Sequence, residues 1–313
     1  MMIKKTLYFG NPTYLSLRNN QLVVKLPEIE NNDSLPDKFK KESEVSFPIE
    51  DIGVIILDHK QITVTHGLIE QLLDNKSALI TCNSSRMPVG LMLPLSGNKI
   101  QTEKFNAQIQ ATDPLKKNLW QQTVKAKIKN QTEVLRKYRR CNIRNMQYWA
   151  SEVKSGDPDN YEARAAAYYW KEAFPQIENF VRGREELPPN NLLNYGYAIL
   201  RAVVARGLVS SGLLPTLGIH HHNRYNAYCL ADDIMEPYRP FVDAIVLSIV
   251  DRGDDFNELS KSIKTELLRI PTIDVIINGK KSPLMVAVSQ TTSSLTQCFD
   301  GKLRKIKYPE FII

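Results

Sequence analysis

The sequence predicts an α+β fold, with a small N-terminal β-sandwich-like domain over residues 1–95 followed by a larger, mostly α-helical domain over 96–313. Three observations carry this. At 313 residues the chain is longer than one small domain. Up to about residue 95, short apolar or alternating runs are separated by turn residues. From about residue 100, apolar residues recur at helical intervals, and the change falls at Pro94-Leu95-Ser96-Gly97.

Residues 6–9 (TLYF) and 14–17 (YLSL) read as strands, with Gly10-Asn11-Pro12 as the turn between them. Asn19-Asn20 marks a second turn before the strand 22–24. Residues 27–44 are polar, lack an apolar period and read as a mobile loop. Residues 54–57 form a short buried-strand run. Thr65 is placed to cap a helix through Leu73, with Ile69, Leu72 and Leu73 facing inward. Residues 78–81 and 89–93 complete the strands.

In the second part, Phe105, Ile109, Leu115, Leu119, Trp120, Val124, Ile128, Val134 and Leu135 follow the helical period. Helices also fit 157–173, 190–212, 232–251 and 254–268, with Ile199, Val203 and Leu208 as a core stripe and Tyr195 and Tyr197 as packing residues. The run 273–277 ends at Asn278-Gly279 and predicts a hairpin with 284–288. No internal repeat or low-complexity segment interrupts this order.

Apolar content of 42% and charged content of 24% are those of an ordinary globular protein. The 41 Lys and Arg against 34 Asp and Glu give a net charge of +7, which leans toward a polyanion such as nucleic acid and is also compatible with a merely basic enzyme. The four cysteines, Cys82, Cys141, Cys229 and Cys298, form no CxxC pair, which argues against a zinc module or a disulfide framework and suits a reducing cytoplasm. The first residues lack the apolar core of a signal peptide, and no run approaches the roughly 18 apolar residues of a membrane span.

Three segments hold residues suited to chemistry. Glu162 opens the stretch YEARAAAYYW (161–170), whose small residues at 163 and 165–167 allow a helix to pack closely. In the first turn its carboxylate also suits the helix dipole. The run Gly218-Ile219-His220-His221-His222-Asn223-Arg224 contains three of the five histidines, and imidazole serves as metal ligand or general base. On a helix, Asp233 and Glu236 share one face with Arg239, which suits a carboxylate or a phosphate, while Asp232 or Asp233 is placed to cap the helix start. Two carboxylates and one imidazole suit Mg²⁺ or Mn²⁺.

The order of these segments resembles the CRISPR adaptation integrase family, the first-numbered CRISPR-associated protein. The resemblance runs through TLYF (6–9), LW (119–120) to KNQ (129–131), EARAA (162–166), NNLLNYGY (190–197), GIHH (218–221), DIMEPYRP (233–240) and SQTTSSL (289–295). The tyrosine-rich helix and the IMEPYRP stretch are most similar to the type II branch.

The resemblance implies an N-terminal dimerisation domain and a helical catalytic domain. It implies a homodimer joined by the small second-numbered adaptation protein, with the type II effector nuclease as a further candidate partner. It also implies capture of a short DNA duplex and its insertion into the repeat array by 3′-hydroxyl attack. The family's metal-holding residues map onto Glu162, His221 and Glu236, with His220 and His222 as alternative registers, and Asp233 and Arg239 stand behind them. Candidate DNA-binding residues are Lys125, Lys127, Arg164, Arg239, Lys302, Arg304, Lys305 and Lys307. A nuclease that cuts without joining and a non-catalytic DNA scaffold are the alternatives.

Overall fold

The computed structural model describes residues 4–183 and 185–311, folded as two units, Met1–Gly97 and Asn98–Ile313. The first unit contains β1 (Lys5–Phe9), β2 (Thr13–Arg18), β3 (Gln21–Lys25), the short helices α1 (Pro27–Glu30) and α2 (Asp37–Glu42), β4 (Val45–Pro48), β5 (Ile52–Leu57), β6 (Ile62–Val64), α3 (His66–Asp74), β7 (Ala78–Cys82) and β8 (Pro88–Met92).

The strands form two four-stranded mixed sheets, β1-β5-β7-β8 and β4-β3-β2-β6. In the first, β5 lies parallel to both β1 and β7, and β8 closes the edge antiparallel. Val54, Ile55 and Ile56 are all buried, as an inner parallel strand requires. Asn19 and Asn20, both at positive φ, turn β2 back onto β3. Leu15 and Leu22 from one sheet, Ile52, Ile55 and Leu79 from the other, and Leu68 and Leu72 from α3 share one core. The sandwich-like expectation therefore holds.

Two details differ from the sequence reading. Residues 27–44 contain α1 and α2, which bury no residue. They are held by polar contacts instead: Lys25 pairs with Glu30 at 2.8 Å and Lys40 donates to the Glu30 carbonyl at 3.0 Å. Helices of one turn or so with no apolar face leave no period to read. Thr65 has the extended backbone of an N-cap but its side chain accepts no cap bond, and the buried residues of α3 are Leu68 and Leu72.

The second unit contains α4 (Gln101–Ile109), α5 (Asp113–Tyr138), α6 (Arg144–Glu152), α7 (Tyr161–Ala173), α8 (Asn190–Ser210), α9 (Cys229–Met235), α10 (Arg239–Asp251), α11 (Lys261–Leu267), β9 (Asp274–Ile277), β10 (Lys280–Pro283) and α12 (Leu284–Phe299). Helix α5 packs against α6, α7 and α10, while α8 packs against α9, α10 and α12. A Cβ on Gly196 would stand 2.5 Å from the Val242 side chain, so glycine permits the close approach of α8 and α10. Tyr195, Tyr197, Ile199, Val203 and Leu208 are buried as expected. By length and mean hydropathy (1.2) α8 alone among the described helices could cross a membrane, but 72% of its apolar window is buried within the protein, as in a core helix.

Several boundaries move for identifiable reasons. The helix expected at 157–173 begins at Tyr161, because Asp157 and Asn160 take positive φ and the Asp157 carboxylate accepts the first helical N–H groups. Of the small residues in the 163–167 stretch of α7 only Ala165 is fully buried. The helix expected at 232–251 is split into α9, a 3₁₀ turn at Glu236–Tyr238, and α10. Pro237 and Pro240 have no N–H to extend a continuous ladder. The helix expected at 254–268 spans only Lys261–Leu267, capped by the Ser260 hydroxyl.

The hairpin turns at Asn278-Gly279 as expected, but its second strand is Lys280–Pro283. Leu284 instead opens α12, which buries Leu284, Met285, Ala287 and Val288. A short apolar run looks the same in a buried helix and in a strand.

Candidate functional site

The site is built on α5. That helix buries an unusual set of polar residues, Thr123, Lys127, Asn130, Gln131 and Thr132, among Leu119, Trp120, Val124 and Ile128. Asn130 explains part of this. Its Nδ2 donates to the carbonyls of Pro237 and Pro309 at 2.7 and 3.0 Å, and its Oδ1 accepts from Phe311 N at 3.0 Å. The 3₁₀ turn carrying Glu236 is thereby pinned to α5. Tyr238, in the same turn, is anchored on Thr291 of α12 at 2.6 Å.

Lys127 lies one turn before Asn130. Its Nζ stands 2.6 Å from Glu162 Oε1 and 2.7 Å from Glu236 Oε2. Glu162 comes from the first turn of α7 and Glu236 from the 3₁₀ turn, so one ammonium draws carboxylates from two distant segments together. Glu236 also meets Arg239 Nε at 2.9 Å. Burial opposes charge on Glu236, yet Arg239 and Lys127 outweigh it and hold its carboxyl below the usual range. Burial likewise opposes charge on Lys127, but Glu236 and Glu162 reverse the balance and raise its pKa.

The histidine run lies in the loop between α8 and α9. Asp233, fully buried on α9, folds that loop over itself. Its Oδ2 accepts the N–H groups of Ile219 and His220 at 2.7 and 3.0 Å, and its Oδ1 accepts His221 N at 3.3 Å. The His221 ring donates through Nδ1 to the same Oδ1 at 2.5 Å. A Cβ on Gly218 would lie 2.3 Å from the His221 carbonyl oxygen and 2.9 Å from Asp233 Oδ2, so the loop closes only around glycine. The Asp233 hydrogen bond raises the His221 pKa, and the charges of Glu236 and Glu162 add to it. His220 stacks flat on Trp120 at 4.1 Å, and partial burial and the neighbouring His221 lower its pKa. His222 is exposed.

Two expectations are corrected here. Neither Asp232 nor Asp233 caps a helix, since the N-cap of α9 is Tyr228. Asp232 pairs with Arg201 at 2.6 Å and accepts from Asn226 at 2.7 Å. Lys127 is not a surface contact but a buried member of the carboxylate cluster. Its signal in the sequence was a lysine flanked by Val124 and Ile128 on the apolar side of a helix. Arg239 sits against Glu236 as its i,i+3 spacing implied, with its guanidinium 4.6 Å from the Tyr197 ring centroid. Lys125 is half-buried, while Arg164, Lys302, Arg304, Lys305 and Lys307 are exposed. Arg164 lies over Tyr161, and Lys302 is 3.5 Å from Asp300.

As the side chains stand, no three His, Cys, Asp or Glu residues among the described ones are grouped to hold a metal ion. The space between Glu162 and Glu236 is taken by the Lys127 ammonium. The donor chemistry nevertheless fits a hard divalent cation. Two carboxylates already face one cationic centre, and the His221 imidazole, on which the charges of both act, has its far nitrogen left for a ligand by the Nδ1–Asp233 bond.

The family model for CRISPR associated protein Cas1 matches residues 7–266. The CRISPR-associated endonuclease Cas1 of Neisseria meningitidis serogroup C (strain 8013) is 33% identical over 99% of this chain and 97% of its own length. A Cas1 endonuclease of Pyrobaculum aerophilum is 25% identical over 82% of this chain and 90% of its own. Among solved structures, a casposase bound to integration product superposes with a TM-score of 0.75 at 21% identity, covering 98% of this chain and 92% of that one. A CAS1 protein from Thermotoga maritima gives 0.70 at 15% identity, over 95% and 98%. The Cas1-containing chain of a Cas6-RT-Cas1–Cas2 complex gives 0.70 at 20% identity, over 96% of this chain and 35% of that one.

Proposed function

The chain belongs to the Cas1 family of CRISPR-associated proteins, and from that premise we propose that it is a metal-dependent DNA endonuclease and strand-transfer integrase of CRISPR adaptation. The observation that carries the reading is the convergence of Glu162 and Glu236 on one buried cation, with their charges also acting on an imidazole oriented by Asp233.

Glu162, His221 and Glu236 would hold one Mg²⁺ or Mn²⁺, which supplies neutralisation of charge on the scissile phosphate and favours the alkoxide form of the attacking 3′-hydroxyl. The chain's own residues prepare for this. Asp233 keeps the proton on His221 Nδ1 and presents the other ring nitrogen as a lone-pair donor. Arg239 fixes one oxygen of Glu236. Lys125, Arg164 and the exposed tail cations Lys302, Arg304, Lys305 and Lys307 bind the DNA backbone and orient it. Exchanging one phosphodiester for another is close to energy-neutral, so no nucleotide cofactor is required.

The same reading includes a homodimer joined by the small Cas2 protein, and, for a member of the type II branch, the effector nuclease as a further partner. Two findings support it. A solved relative of this fold is a Cas1–Cas2 complex. The edge strand β8 of the first unit exposes Val89 and Met92, apolar side chains that an interface would cover.

The test is a strand-transfer assay with a short duplex bearing 3′-hydroxyl ends, a supercoiled repeat plasmid, Cas2 and Mg²⁺ or Mn²⁺. Covalent joining by the wild type and none by Glu162→Ala, His221→Ala or Glu236→Ala is the expected result. Cutting without joining would make the protein a plain nuclease, and binding without chemistry a scaffold.

A further inference from the structure

The Lys127 side chain is unusual for a lysine among candidate phosphate contacts. It is only 10% exposed, and its ammonium touches two carboxylates. Val124 and Ile128, near it on α5, are buried as well, while its partner Glu162 is 24% exposed, so the ammonium lies at the inner edge of a partly open site. Glu162 and Glu236 contribute two negative charges to the cluster, while Lys127 and Arg239 contribute two positive ones. The cluster is thus neutral without any metal. A divalent cation entering between the carboxylates meets an ammonium already in that place and, once bound, leaves the cluster with excess positive charge. A DNA phosphate changes both conditions, because it adds negative charge and offers the ammonium new oxygen acceptors.

Resting on the functional reading above, we propose that Lys127 is a positioning residue that holds Glu162 and Glu236 together in the DNA-free protein. Its ammonium excludes a divalent cation from between them until a DNA phosphate takes that ammonium over. Metal and DNA binding are then coupled, each strengthening the other by the same factor. The chemical benefit is that the hydrolytically competent centre is assembled only on its nucleic-acid substrate.

A purely structural role for Lys127 predicts the opposite sign. If the lysine merely supports the carboxylates, its removal misplaces them and weakens metal binding. If it competes with the ion, its removal strengthens metal binding. Calorimetric titration of Mn²⁺ into the full chain separates the two without any assay of activity. Wild type, Lys127→Met, Lys127→Gln and Lys127→Arg would be titrated alone and with a short duplex ending in 3′-hydroxyls, and melting temperatures would be recorded with and without Mn²⁺.

The expected result is that both neutral variants bind Mn²⁺ at least about tenfold more tightly than wild type in the absence of DNA, as removal of an adjacent unit charge implies. Lys127→Arg remains weak. Added duplex tightens Mn²⁺ binding to wild type by about tenfold or more, and to the neutral variants by less. The neutral variants melt earlier than wild type without metal and gain more from Mn²⁺. Equal or weaker Mn²⁺ binding by both neutral variants overturns the role of Lys127. If wild type binds Mn²⁺ and Glu162→Ala and Glu236→Ala do not, the metal site survives that failure. Mn²⁺ binding to none of the proteins, with or without duplex, overturns the site and the inference together.

Discussion

His221 and Asp233 form a closed pair: the ring Nδ1 of His221 meets Asp233 Oδ1 at 2.5 Å, while the N–H groups of residues 219, 220 and 221 all point at the same carboxylate. One buried side chain thus shapes the loop and sets the tautomer of the histidine it presents. The charge of Asp233 is met almost entirely by backbone dipoles and one imidazole, so its loss leaves several buried donors without an acceptor.

Asp233→Asn therefore removes both functions while preserving size. We expect a loss of about 2–4 kcal/mol in urea unfolding, the range for breaking a buried charged hydrogen-bond network. Strand transfer should fall by about ten- to hundredfold, as for other residues that orient a ligand. A variant with wild-type stability and activity would contradict the arrangement.

Gly218→Ala tests the same loop from its backbone. The added methyl would collide with the His221 carbonyl and crowd Asp233, so the loop must open. An expected cost of about 1–3 kcal/mol follows from overpacking. The loss of strand transfer should exceed what the fraction unfolded explains, measured at a temperature where circular dichroism shows the variant folded.

Asp243 gives a pH signature away from the proposed metal ligands. It is fully buried and accepts hydrogen bonds from Tyr169 and Tyr197, and burial pushes its carboxyl up to about 6. A carboxyl raised above its unfolded value of about 4 binds a proton more tightly in the native state. Its contribution therefore favours folding below pH 4 and is withdrawn as the pH rises toward 6, by up to about 3 kcal/mol. Urea unfolding of wild type and Asp243→Asn between pH 4 and 7 should show this fall only in the wild type. Parallel curves would refute it.

The tail cations give a salt signature. Replacing Lys302, Arg304 and Lys305 by Ala should reduce the dependence of log Kd on log salt by about 2–3, near 0.9 for each phosphate that is no longer neutralised. Fluorescence anisotropy of a labelled duplex across a salt series measures the slope. An unchanged slope would remove the tail from the DNA path.

Much of the architecture was legible because it rests on periodicity. Strands 54–57 and 78–81 are short apolar runs in which Val54 to Ile56 and Ala78 to Ile80 are buried residue after residue, as inner strands of a mixed sheet are, and the core stripe of α8 recurs at the helical period, so burial is written into the residue order. The errors gathered where period is absent or shared. The short helices α1 and α2 bury nothing, and the run 284–288 is equally apolar in a strand and in the first turn of α12. The break of the helix at Glu236 was written in Pro237 and Pro240, but a proline near a helix start is compatible with either outcome.

By itself, then, the sequence determined the division into a β-rich and a helical part, the order of the acidic and histidine segments, and the resemblance that the family match bears out. Each of these is a property of neighbouring residues or of their order along the chain. Only the tertiary structure decided that Lys127, 35 positions before Glu162, closes an ion cluster with it, and that Asp233 binds the histidine loop rather than capping its own helix. Buried charges must find partners wherever packing brings them, and that choice is made across the fold, where spacing along the chain carries no information.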